Sequence, residues 1–123
     1  MNKLSDQEAF NIMVSHLKRQ GCMSMLEKDD RVCAYRGKSD RMCAIGALIP
    51  NSMYYHDMEN HGIYYILSDM KNKHWSELIE FFSELNMDLL NSMQDIHDYC
   101  DVDSWDTCFS EIATKYNLTL PKF

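Results

Sequence analysis

Apolar side chains in the N-terminal part of the chain recur at the spacing of one helix face, with Phe10, Met13, Val14 and Leu17 at i, i+3, i+4 and i+7. Ser5 and Glu8 stand just ahead of that stripe at the spacing of a capping box, and Gly21 follows it as a left-handed stop. The pattern predicts a helix over 6–20. Lys18 and Arg19 fall in its last turn, where the helix dipole favours cations, and His16 reads as part of the same complement.

After a connector over 22–30 the texture changes. Val32-Cys33-Ala34-Tyr35-Arg36 and Met42-Cys43-Ala44-Ile45 are two short runs split by the polar stretch Gly37-Lys38-Ser39-Asp40. They read as a β-hairpin over about 32–46. Such a hairpin is marginal alone, so one of its faces must lie on helices. Gly46 permits a close backbone approach, and an apolar segment then runs into Pro50. Residues 51–58 read as a short helical turn, 60–62 as a loop and 63–70 as a helix.

Helical spacing returns from His74, with Leu78, Phe82, Leu85, Leu89, Met93 and Ile96 recurring at fours and threes. One long helix satisfies this pattern, and so do two, over 76–85 and 87–99, with Asn86 capping the second. A last helix starts near Asp103 or Ser104, buries Trp105, Cys108, Phe109, Ile112, Ala113 and Tyr116, and stops at Asn117 before a short tail. The expected fold is a single domain over 1–123 of the α+β class, mostly α-helical, with four to five helices around one small hairpin.

Composition narrows the function classes. A chain of 123 residues with 46% hydrophobic and 25% charged residues is long enough to bury a core without disulfide or metal staples. Twelve Lys and Arg against nineteen Asp and Glu leave a net charge of -7, which disfavours attraction to nucleic acid or anionic lipid and suits a basic partner instead. No apolar run approaches the roughly 18 residues of a membrane span. Five cysteines are an odd number and the chain opens without an apolar signal core, the usage of a reduced, cytoplasmic protein. Most of the ten methionines read as core filler.

Three chemistries have the residue types they need. Cys33, Cys43, His97 and Cys100 could offer four soft ligands, but they lack the close pairing of structural zinc sites, and small buried hydrophobes are the plainer reading of the cysteines. No metal or other cofactor is expected. Cys43, His97 and Asp98 supply a nucleophile, a base and a carboxylate for a cysteine-dependent hydrolase or transferase. Neighbours on a helix point about 100° apart, so Asp101 is a better orienter of His97 than Asp98 is. The third chemistry is recognition. Arg31, Arg36, Lys38 and Arg41 crowd into one short stretch of an acidic chain, and a guanidinium beside Tyr35 suits a carboxylate or phosphate. The plainer reading of that stretch is a solvated turn. His56 and His61 flank Asp57 and Glu59, and idle surface groups are the plainer reading there too.

The order of these blocks carries a resemblance. Cys33-Ala34-Tyr35-Arg36-Gly37, then Met42-Cys43-Ala44-Ile45-Gly46-Ala47-Leu48-Ile49-Pro50, then Tyr54 and Met58-Glu59, then Met93-Gln94-Asp95-Ile96-His97-Asp98 and Trp105 resemble a family of small bacteriophage and prophage proteins with CxYRG, CAxGxLIP and LQxIHD blocks. Members of that family usually have Gly near Ser39 or Asp40, Asp where Asn51 stands, Gly where Asn60 stands and Leu where Met93 stands. The family brings no secure activity. The resemblance implies an intracellular phage accessory protein of a class that often acts by binding host machinery, and the reading of the whole sequence is a protein of the host cytoplasm that binds a host protein or a small anionic ligand, to modulate host physiology or counter a defence. The expected contact surface is Tyr35, Arg36, Gly37 and Arg41, completed by His97 and Asp98, and the balance favours a binding protein over an enzyme.

Overall fold

The structure, a computed structural model, describes residues 3–26, 29–59, 61–68 and 75–121, with the backbone alone at 26, 29–32 and 38. Five α-helices dominate the described residues: α1 (Asp6–Gln20), α2 (Ile63–Ser68), α3 (Ser76–Phe82), α4 (Met87–Tyr99) and α5 (Trp105–Lys115). Their ends follow the sequence signals closely. Ser5 and Glu8 form both hydrogen bonds of a capping box, and Gly21 closes α1 at φ 68°. The Asn86 side chain accepts from the Asp88 and Leu89 amides, which separates α3 from α4 and decides for two helices. Asn117 takes φ 54° and lets the Leu118 amide reach the Ala113 carbonyl, ending α5. Of the predicted helix over 63–70, Ile63–Ser68 is helical, and residues 69–70, the loop position Asn60 and the helical start at His74 lie outside the described residues.

The core is one cluster. Phe10, Met13, Val14 and Leu17 of α1 pack with Ile45 and Leu48, Leu89 and Met93 of α4, and Phe109 of α5, all nearly or fully buried. α1 lies against the turn Gly46–Leu48 and against α4, and α4 lies against α5. A core of this size holds the helices without covalent help.

The α+β class and the hairpin over 32–46 are corrected by this architecture. The molecule is mostly helical, and the second half of the expected hairpin is not a strand. Among the described residues the pairing is limited to a small antiparallel ladder between β1 (Met25–Leu26) and β2 (Asp29–Cys33), with Met25 opposite Cys33. Strand β2 therefore pairs backward with 25–26 rather than forward with 42–45. The physical reason is burial without alternation. A half-buried strand hides every second residue, whereas Ala34 and Tyr35 are buried in succession, as are Cys43, Ala44 and Ile45. The stretch is an irregular loop drawn into the body of the protein.

Its tip turns through Ser39 at φ 59° and Asp40 at φ 61°, successive left-handed residues without a glycine. A left-handed non-glycine residue costs about 1–2 kcal/mol, more than the extra chain entropy of glycine. Ser39→Gly should accordingly raise unfolding stability by about 0.5–1 kcal/mol, read from a denaturant midpoint at unchanged slope. A lowered midpoint would show that the Ser39 conformation carries no strain.

Candidate functional site

A buried loop exposes its own amides to a dry interior, so each needs a partner. Here side chains supply them. Glu59, only 6% exposed, accepts the Tyr35 amide at 3.0 Å on one carboxylate oxygen and the Arg36 amide at 3.1 Å on the other; the Tyr54 hydroxyl also donates to it at 2.6 Å. Gln20 from the end of α1 accepts the Met42 amide at 2.8 Å and donates to the Met42 carbonyl, which His16 also reaches at 2.9 Å. Gln94 of α4 accepts the Ile45 amide, and His97 Nε2 accepts the Ser24 amide at 2.8 Å. His16 thus clamps the loop rather than merely answering the α1 dipole, and Glu59 is an interior anchor rather than part of a surface cluster with His56 and Asp57.

The residues expected to form a projecting contact surface are mostly built into this scaffold. Tyr35 is 7% exposed, its hydroxyl donates to the His61 carbonyl at 2.6 Å, and burial pushes its phenol well above the ordinary range. Arg36 is half-buried. Its Nη2 donates to the Ile49 carbonyl at 2.6 Å, Nη1 contacts the Met42 sulfur, and the guanidinium lies over the Tyr54 ring. Gly37 and Gly46 are close-approach positions: a Cβ on the first would overlap Ser24 and the Met25 carbonyl, and one on the second the Tyr35 carbonyl. Arg41, also half-buried, lines a shallow depression with Arg19 and Asp40, while the Arg31 and Lys38 side chains lie outside the described residues.

The catalytic alternative does not assemble either. Cys43 is fully buried, its sulfur accepts the Gly46 amide, and desolvation pushes its thiol up to about 12, far from a thiolate at neutral pH. His97 is fully buried as well. Because Nε2 accepts from Ser24, the ring hydrogen sits on Nδ1 and donates to Asp98 Oδ1 at 2.7 Å. Both ring nitrogens are occupied, so no lone pair is left to act as a base. The Asp98 contact corrects the preference for Asp101, and Gln94 Nε2 adds a second hydrogen bond to the same oxygen at 2.8 Å.

Of the four soft-ligand candidates, Cys33 and His97 do meet, with Asp98 as the third member and all ligating atoms within 4.8 Å. A metal on Nδ1 would leave the imidazole without any hydrogen while Nε2 still faces an amide, so the trio suits hydrogen bonding better than ligation. Burial and the Asp98 carboxylate push the Cys33 thiol up to about 12, where it serves as a donor. Cys100 lies apart from this trio, beside Cys108.

What sequence reasoning missed is the cleft next to these residues. It has a volume of about 540 Å³ and opens between Cys33–Tyr35, residues 61–63 and one face of α4. α4 contributes Asn91, Gln94, Asp95, Asp98 and Tyr99 to its wall, with Tyr99 82% exposed at the rim. The i, i+3, i+4, i+7 spacing of Asn91, Gln94, Asp95 and Asp98 was a readable polar stripe, although nothing in it marked a concave surface. The Asp98 carboxylate is held rigid by His97 and Gln94, whereas Asp95 is exposed and has no hydrogen-bond partner among the described residues.

Two expectations follow from the scaffold. Glu59→Ala removes the acceptor of two buried amides and a hydroxyl and should cost about 2–5 kcal/mol in a denaturation series; a loss under about 0.5 kcal/mol would mean that the loop finds other partners. Cys33 and Cys43 should resist iodoacetamide at pH 7–8 in the native protein and react readily once it is unfolded, as followed by peptide mass mapping, because both thiols stay protonated well above that pH. Fast native alkylation of Cys43 would restore it as a nucleophile. Comparisons of the chain with family models, with curated proteins and with solved structures found no match.

Proposed function

We propose that the chain is a small accessory protein that acts by binding, in the host-directed role implied by its resemblance to phage proteins, with a basic segment of a host protein as its partner. The contact site in this reading is the α4 cleft, not the 35–41 loop. The observation that carries it is the cleft itself: a partly open space of about 540 Å³ whose wall presents the carboxylates of Asp95 and Asp98, the amides of Asn91 and Gln94 and the exposed ring of Tyr99. Carboxylates and amides on one rigid helix face, next to a tyrosine, suit a guanidinium or ammonium group. The net charge of -7 adds long-range attraction for such a partner.

A small anionic ligand fits less well, because Arg36, one of the two guanidiniums expected to hold it, already serves the Ile49 carbonyl, and Arg41 shares its depression with Asp40. A cysteine-dependent reaction has a buried, protonated thiol and a histidine with both nitrogens engaged. No helix among the described residues is long and apolar enough to cross a membrane, so a membrane-spanning role has no support from the helices. Action within the host cytoplasm, against host physiology or a defence, is the setting proposed for this binding.

The test uses Asp95, whose carboxylate has no hydrogen-bond partner among the described residues. A partner captured from host lysate by the full chain should bind Asp95→Lys about tenfold more weakly and lose affinity as salt rises, with the thermal midpoint of the variant unchanged. Equal affinity for wild type and variant, insensitive to salt, would overturn the reading.

A further inference from the structure

Away from the cleft floor, two thiols face each other across the junction of α4 and α5. Cys100 caps the C-terminal end of α4, and Cys108 sits one turn into α5. Their sulfurs lie 3.6 Å apart, Cys108 donating to Cys100, and both side chains are partly exposed. The junction is well fixed, since the Trp105 indole donates to the carbonyls of both Ile96 and Cys100. None of these contacts is used by the binding reading above.

We infer that Cys100 and Cys108 form a dithiol modification site that takes low-molecular-weight disulfides and closes to a reversible internal disulfide. Bonding requires the sulfurs to approach by about 1.6 Å from their 3.6 Å separation to reach the usual S–S length. The exchange balances in two displacements. The Cys100 thiolate attacks one sulfur of the external disulfide, forming a mixed disulfide and releasing one small thiolate, which takes up the proton Cys100 gave up. The Cys108 thiolate then attacks the Cys100 sulfur, the protein disulfide forms, and the second small thiol leaves. Two protein thiols are oxidised, and one external disulfide is reduced to two thiols.

The order of attack follows from the hydrogen bond. Cys108 is the donor in it, so Cys100 is taken as the first nucleophile. Burial and that same bond to Cys100 hold the Cys108 thiol above its ordinary range, which suits Cys108 to the second displacement. Cys22 has its sulfur directed to the Gln20 carbonyl, and Cys43 is enclosed, so neither competes for the same reagent on equal terms. The product ties the end of α4, and with it the Tyr99 rim of the cleft, to α5.

The experiment treats the full reduced chain with oxidised glutathione and reads intact mass and peptide maps. The expected wild-type product has lost about two mass units, carries no glutathionyl group and yields a linked peptide joining Cys100 to Cys108. Its thermal midpoint should exceed that of the reduced form by about 5 °C, since the link closes a short loop. Cys108→Ser should stop at one glutathionyl group on Cys100. The same treatment in denaturant should give scattered glutathionyl adducts, because the native placement is gone. Accumulation of glutathionyl adducts on the native wild type without the internal link, a link between other cysteines, or an unchanged wild-type mass would each overturn the inference.

Discussion

A segment that is buried yet neither helix nor strand must find partners for its amides one by one, and an amide left dry costs as much as several ordinary contacts return. That constraint governs this protein. The 34–50 loop runs through the interior beside α1 and α4, and its amides are met by Glu59, Gln20, Gln94 and the Cys43 sulfur. His97 does the same for Ser24, whose carbonyl in turn accepts the Ala34 amide. Gln20 belongs to α1, Gln94 and His97 to α4 and Glu59 to the segment before α2, so the loop is positioned by the helices and the helices are tied together through the loop.

This explains why the motif residues are such good landmarks and such poor site residues. Arg36 bridges to the Ile49 carbonyl, Tyr35 to the His61 carbonyl, and Gly37 and Gly46 leave room for backbone to pass at contact distance. Their chemistry is spent on the chain itself. The cleft is a by-product of the same arrangement: His97 and Gln94 hold the Asp98 carboxylate in place while Asp95 and Tyr99 face water one turn away.

The helices were legible because their signals are local. Ser5, Glu8, Gly21, Asn86 and Asn117 act within four residues of themselves, and the apolar stripes of α1, α4 and α5 report burial directly. The loop was not legible for the opposite reason. Two short β-prone runs around a polar turn look alike whether they pair with each other or with distant side chains, and the distinction lies in contacts such as Glu59 to Tyr35 and Gln94 to Ile45. A buried glutamate beside Met58 looks like any loop acid in the sequence. The cleft was hidden as well, since the polar stripe on α4 becomes a wall only when the loop stands opposite it.

Hydrogen–deuterium exchange at single-residue resolution tests the central claim most directly. If side chains satisfy the loop, the amides of Ser24, Tyr35, Arg36, Met42 and Ile45 should exchange as slowly as those in the middle of α1 and α4, with a common opening energy close to that of global unfolding. Exchange at those five amides as fast as in an exposed loop, against slow helices, would contradict the account.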